Sequence, residues 1–184
     1  MKTERRVSTA KSLPALTLNT TIGPSEMDAT KLRQIFETLD GALEHPTELL
    51  IRGGAAVLAH GLDQRVTLDI DVLPASRFVE ADLRRASAAV PEETLILPRP
   101  DPDRGYDTVF RGLHLTVRTP PAADLIVGKL KRLEPDDVAD VTFLIKRFRL
   151  TKVDITESFE RLPARFKTDP VVLDNFRYIV EDLL

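Results

Sequence analysis

The chain has 184 residues with no cysteine, no tryptophan, three histidines and an aromatic content of 5%. Without cysteine there are no disulfides, no thiolate metal sites and no cysteine nucleophile. Three scattered histidines make a structural zinc site improbable. Few aromatics argue against stacking as a way to hold single-stranded nucleic acid. No apolar run reaches membrane-spanning length. The basic N-terminus (Lys2, Arg5, Arg6, Lys11) lacks the long apolar segment of a signal peptide. A cytoplasmic protein without membrane contact is therefore expected. The formal net charge of −3 argues weakly against a protein that coats nucleic acid, leaving room for a local basic patch.

What is present is ordinary for a globular chain, with 42% hydrophobic and 30% charged residues. The length fits one domain with terminal extensions. Residues 1–23 are polar and aperiodic and read as a flexible arm. A domain is expected over 24–150, followed by a helical extension over 151–184 that packs on it. The first helix opens at Pro24 to Asp28, capped by Ser25 or Asp28, with Leu32, Ile35, Phe36 and Leu39 at helical spacing. Glu48 to Arg52 reads as a buried strand, Ala55 to His60 as a helix and Thr67 to Leu73 as a strand. A helix over Phe78 to Val90, a short strand over Thr94 to Leu97 and a loop over Arg99 to Gly105 follow. Asp107 to Phe110 and Leu113 to Val117 form a hairpin around Arg111-Gly112. Helices are expected from Pro121 through Lys129 and Leu130, from Pro135 through Phe148, and over Asp154–Leu162 and Asp169–Leu184. This order describes an α/β (α+β) fold, a mixed sheet flanked by helices with further helices at the C-terminus.

The stretch Leu49 to Leu73 carries the chemistry. Asp69 and Asp71 are two apart on a strand and share one face. Two adjacent carboxylates repel each other, and a divalent cation resolves that repulsion. Mg²⁺ suits one or two hard carboxylates completed by water and substrate phosphates. The plainer reading is a pair of solvated acids on the open face of an edge strand. Gly53-Gly54 follows a strand and precedes a helix, so its amides can approach an anion closely; otherwise it is a tight turn without ligand. The combination of both motifs on successive strand ends is more specific than either.

Leu-Ile-Arg-Gly-Gly-Ala-Ala-Val, followed by Arg65-x-Thr67-x-Asp69-x-Asp71, resembles the nucleotidyltransferase superfamily. It is most similar to the abortive-infection type toxins and related proteins paired with antitoxins. A downstream piece, Ala123 to Leu130 with Arg132, Asp136, Asp137 and Asp140, resembles the same group, in which a helix carries Asp-Leu-x-x-x-Lys. The resemblance covers about Leu49 to Ile145. It implies a nucleotidyltransferase-like fold in which Asp69 and Asp71 bind Mg²⁺ (or Mn²⁺). It further implies that the Gly53-Gly54 turn serves a nucleoside triphosphate and that Lys129 faces its phosphates. Arg65 and Thr67 precede the acid pair, where Arg65 can contact phosphate and Thr67 shares the face of Asp69 and Asp71, so both join the nucleotide-binding candidates. Asp69, Asp71 and Lys129 are thereby the catalytic candidates. The implied acceptor is a tRNA or other RNA, a protein or a small molecule, and a cognate antitoxin is an implied partner.

The pattern departs from polymerising members in one respect. The later strand that should supply a third carboxylate reads Leu-His-Leu-Thr-Val and has no acid. Asp107 precedes it, and His114 on it reads as packed or solvated more readily than catalytic. Lys129 has a second reading as a solvated lysine or a partner of Asp124 or Asp140. Asp137 and Asp140 read first as helix-capping acids paired with Lys129 or Arg132. Arg84-Arg85 and the cations from Lys129 to Arg149 suit either a nucleic-acid groove or a solvated surface. Two functions follow: a metal-dependent nucleotidyltransferase, or a module of the same fold that binds nucleotide or a partner without turnover.

Overall fold

In the computed structural model, residues 27–63, 65–67, 70–73, 98 and 105–184 are described. The expected arm, the cap Ser25, Asp69, Arg84-Arg85, the helix over 78–90, the strand over 94–97 and all but the end of the 99–105 loop lie outside them.

Helix α1 spans Ala29–Ala42. Asp28 caps it by accepting a hydrogen bond from the backbone N–H of Lys31 at 2.8 Å, satisfying one of the free donors of the first turn. The expected periodic face is turned inward: Leu32 and Phe36 are buried, and Ile35 and Leu39 pack against the core. Strand β1 (Thr47–Arg52) leads directly into α2 (Gly53–Ala59). β2 is Asp71–Leu73, β3 Asp107–Arg111 and β4 Leu115–Thr119. The sheet order is β2-β1-β4-β3. β1 pairs antiparallel with β2 and parallel with β4, and β3 pairs antiparallel with β4. The mixed sheet expected from the sequence is therefore present.

The two faces of the sheet differ sharply. Ile51, Leu115 and Val117 enter the helix-covered core. The register Glu48↔Thr116, Leu50↔Arg118 and Arg52↔Asp71 puts Glu48, Arg52, Asp71, Thr116 and Arg118 together on the other face. That face carries most of the charged groups of the sheet, while Asp107, opposite Thr119, lies on the other.

After β4 come α3 (Ala122–Val127), α4 (Pro135–Phe148), α5 (Lys152–Glu160), α6 (Ala164–Lys167) and α7 (Pro170–Tyr178). α7 runs on into a π-helical segment, Ile179–Leu183. Ile155, Phe159, Val172 and Ile179 join the central core. Among the described residues no helix is long and apolar enough to cross a membrane.

Several boundaries differ from expectation: the strand expected over Thr67 to Leu73 is described as Asp71–Leu73, with Thr67 bridging Met27 instead, and three other differences have a local cause. The hairpin strands end at Arg111 and restart at Leu115, because Asp40 captures the turn. Its carboxylate accepts N–H groups from Leu113, His114 and Leu115 at 2.9, 2.7 and 2.6 Å. The first two of these bonds, to Leu113 and His114, do most to hold the Asp40 carboxyl below the usual range. Gly112 allows this approach, since a Cβ there would lie 2.2 Å from the Asp40 carboxyl carbon. Second, α3 stops at Val127. The N–H groups of Lys129 and Leu130 turn back to Ile126 and Val127, tightening the chain into turns. Lys129 therefore sits in a turn and not on a helix. Third, the C-terminal region divides further than periodicity indicated, because Pro163 and Pro170 each begin a new helix.

Candidate functional site

The site begins where β1 meets α2. Gly53 has φ +64, a left-handed conformation that a side chain resists. A Cβ at Gly53 would also fall 2.4 Å from Asp71 Oδ2. Asp71 therefore rests its carboxylate directly against the glycine turn. At Gly54 an added Cβ would meet Thr67 Oγ1 at 3.0 Å and Arg65 Nη2 at 3.2 Å. Thr67 is anchored by reciprocal backbone hydrogen bonds with Met27, at 2.8 and 3.0 Å. Gly53, Gly54, Arg65, Thr67 and Asp71 are thus brought together, while Asp69 lies outside the described residues.

Arg65 connects this turn to α4. Its Nη1 donates to Asp136 Oδ2 at 3.0 Å, and its Nε lies 3.2 Å from Asp140 Oδ1. That second contact is an ion pair without hydrogen-bond alignment, since neither atom has a hydrogen-bond partner. Lys129 Nζ donates to Asp140 Oδ2 at 2.7 Å and to Asp137 Oδ1 at 2.9 Å. Arg132 then grips Asp137 with two hydrogen bonds, at 2.8 and 3.0 Å. The result is a ladder of alternating charge, Arg65, Asp140, Lys129, Asp137, Arg132. Asp137 and Asp140 are buried within it. Burial by itself would push the Asp137 carboxyl up, but the hydrogen bonds from Arg132 and Lys129 outweigh it and hold it at about 2. Asp137 in turn raises Arg132 above its usual range, chiefly through that hydrogen bond. Asp137 also accepts from the Glu134 backbone N–H at 3.2 Å, closing a capping box at the start of α4.

Lys129 is accordingly held by Asp137 and Asp140, the pairing that the sequence left open. Asp124 is not its partner. The buried Asp124 accepts from Ser158 Oγ at 2.6 Å and pairs with Arg161, tying α3 to α5.

A third carboxylate is absent from β4, which reads Leu-Thr-Val-Arg-Thr. Asp107 is exposed and opposite Thr119 on the far edge strand. Three inter-strand spacings, about 14 Å, separate that edge from β2. His114 lies in the β3–β4 turn beside Thr47, at the start of β1, with Gly53 beyond its other end. Neither residue joins the site. No cluster of three or more metal-binding side chains occurs among the described residues. Of the two carboxylates expected to hold a cation, Asp71 borders the glycine turn, and one carboxylate completed by water and phosphate oxygens is a ligand set that Mg²⁺ accepts.

Sequence reasoning did not single out Arg52. It faces Asp71 across the β1–β2 pair and is 8% exposed. Burial lowers its proton affinity, and the Asp71 charge works against that. The available signal was a charged residue ending the apolar run Leu49-Leu50-Ile51 immediately before the glycines.

A mixed sheet whose glycine turn faces a carboxylate-bearing strand defines this chain as nucleotidyltransferase-like. Residues 30–161 match the family described as nucleotidyltransferase of unknown function (DUF6036), and the chain belongs to that family. No curated protein and no solved structure matches it.

Proposed function

We propose that the protein is an Mg²⁺-dependent nucleotidyltransferase that moves a nucleoside monophosphate from a triphosphate to a hydroxyl acceptor on RNA, protein or a small molecule. The observation that carries the reading is the Asp71 carboxylate seated on the Gly53 turn. Family membership supports it. Asp69 and Asp71 would hold the cation (Mn²⁺ being an alternative), which when bound neutralises charge developing on the phosphate oxygens. Gly53 and Gly54 leave backbone close to the triphosphate, and Thr67 and Arg65 border the same turn. In the transfer, the acceptor oxygen bonds to the α-phosphorus. The bond from that phosphorus to the bridging oxygen breaks, pyrophosphate leaves with the electron pair, and the hydroxyl proton passes to water. Lys129 acts on this site through the ladder, setting the position of Asp140 and thereby of Arg65. A cognate antitoxin or a place in phage defence belongs to the same proposal and rests on the resemblance alone.

The experiment is label transfer from each α-labelled triphosphate to total RNA and protein, using wild type, Asp69→Asn and Asp71→Asn. Transfer that both substitutions abolish is expected; equal transfer by wild type and variants would remove the proposal. A second reading, a nucleotide-binding module without turnover, is favoured by the acid-free β4 and by Lys129 being taken up by Asp137 and Asp140. Nucleotide binding without any transfer would establish it.

A further inference from the structure

We propose that Arg52 is a polyphosphate-binding residue of this site, supplying a guanidinium opposite Asp71 to the phosphates of the nucleotide. The proposal rests on the nucleotidyltransferase reading for the identity of the ligand, but its evidence is separate.

Arginine is a costly residue to place at a 92% buried position, because its guanidinium cannot shed its proton to escape desolvation. Such groups persist when their N–H donors are satisfied. The other cations near α4 and α5 follow that rule, with Lys129, Arg132 and Arg161 each donating to a carboxylate. Arg52 departs from it. Its Nε is buried without a hydrogen-bond partner. Among the described residues, no hydrogen bond or ion pair reaches its guanidinium.

Its position indicates the missing partner. Arg52 and Asp71 are cross-strand partners on the polar face of the sheet, and Gly53 follows Arg52 immediately. An arginine fork here stands beside the carboxylate proposed to hold the cation. Arg118 sits on the same face one strand away, through its register with Leu50, and its Nε is also buried without an acceptor. Its Nη2 lies 3.5 Å from Glu48. The face thus presents buried arginine donors, with Asp71 opposite Arg52 and Glu48 beside Arg118. A simple carboxylate ligand would be repelled by Asp71. A polyphosphate carries several oxygens, some for a shared cation and some for the arginine fork, and it fits both groups at once.

The test uses the full chain and inorganic tripolyphosphate as probe, titrated by calorimetry with and without Mg²⁺, alongside a nucleoside triphosphate. Variants are Arg52→Gln and Arg52→Lys, each checked for folding by thermal unfolding. One charge-assisted hydrogen-bond pair is worth about 1.5–3 kcal/mol, so Arg52→Gln should weaken tripolyphosphate binding by about 10- to 100-fold. Arg52→Lys, which keeps the charge and loses the fork, should fall between. If Arg52→Gln does not fold, the lysine variant alone carries the comparison. Unchanged affinity in the folded variants overturns the inference and leaves Arg52 as a counter-charge to Asp71; nucleotide binding by wild type would then still uphold the nucleotidyltransferase reading. Arginine-dependent tripolyphosphate binding without nucleotide binding upholds the Arg52 site and overturns that reading. If wild type binds neither anion, both fall.

Discussion

Replacing Lys129 with methionine tests the charge ladder that joins the glycine turn to α4. Lys129 is 9% exposed and lies 2.7 Å from Asp140 and 2.9 Å from Asp137, which are themselves 0% and 1% exposed. At an effective dielectric of about 20, each contact is worth about 6 kcal/mol of direct attraction. Desolvating the ions offsets most of that, so the net worth of the lysine is far smaller. What matters after the substitution is which charges remain. Asp137 keeps the two hydrogen bonds from Arg132, and Asp140 keeps Arg65 at 3.2 Å without hydrogen-bond alignment. The loss should therefore fall near the low end of the range for breaking a buried pair, about 3 kcal/mol. Asp140→Leu should cost a similar amount by leaving Lys129 and Arg65 underpaired. The double variant removes both charges and should recover about 1.5 kcal/mol or more of the summed loss. Urea unfolding of wild type, both singles and the double gives this coupling directly. A coupling below about 0.5 kcal/mol would show that the two residues act independently, and the ladder would be refuted.

Three further outcomes follow from individual contacts. Gly53→Ala should lose about 1–2 kcal/mol from the left-handed backbone, with more from displacing Asp71. Nucleotide binding should fall further than stability does, and a variant that binds normally contradicts the close approach. His60 is half-buried, its Nε2 lies 2.8 Å from Thr119 Oγ1 and its ring meets Phe148 edge-on. Burial lowers its proton affinity, opposed by the Asp107 charge and reinforced by Arg147. The folded protein thus prefers neutral His60. Its contribution is present above the unfolded value near 6.5 and is lost as the pH falls from there through the lower folded value. Unfolding free energy measured from pH 7 to 5 should therefore drop less steeply in His60→Gln, and parallel profiles count against the burial. Asp40→Ala should loosen the β3–β4 turn, seen as faster amide exchange at Leu113, His114 and Leu115; unchanged protection there rules out the carboxylate clamp.

Local pattern made much of the frame legible. The 3.6-residue spacing of apolar side chains marked α1 and α4, and the apolar run Leu49 to Ile51 marked β1. The glycine pair and the Asp71 strand were recognisable because turn chemistry and period-two alternation are local. The links that build the site are not local. Arg65 reaches Asp136 and Asp140 across more than seventy residues, and Asp40 reaches the hairpin across a similar span. No short-range pattern encodes such contacts. The helical spacing of Leu125, Ile126 and Leu130 predicts a helix through Lys129, while tightened hydrogen bonds after Val127 put it in a turn. Arg52 ends an apolar strand and carries no local sign of a site, and only the register opposite Asp71 shows its surroundings.

The central claim is that Asp71 and the Gly53 turn form one nucleotide site. Calorimetric titration of Mg²⁺ with a nucleoside triphosphate into wild type and Asp71→Asn tests it most directly. Wild type should bind saturably and the variant at least about tenfold more weakly, the loss of one charged contact. Equal isotherms for the two proteins would contradict it.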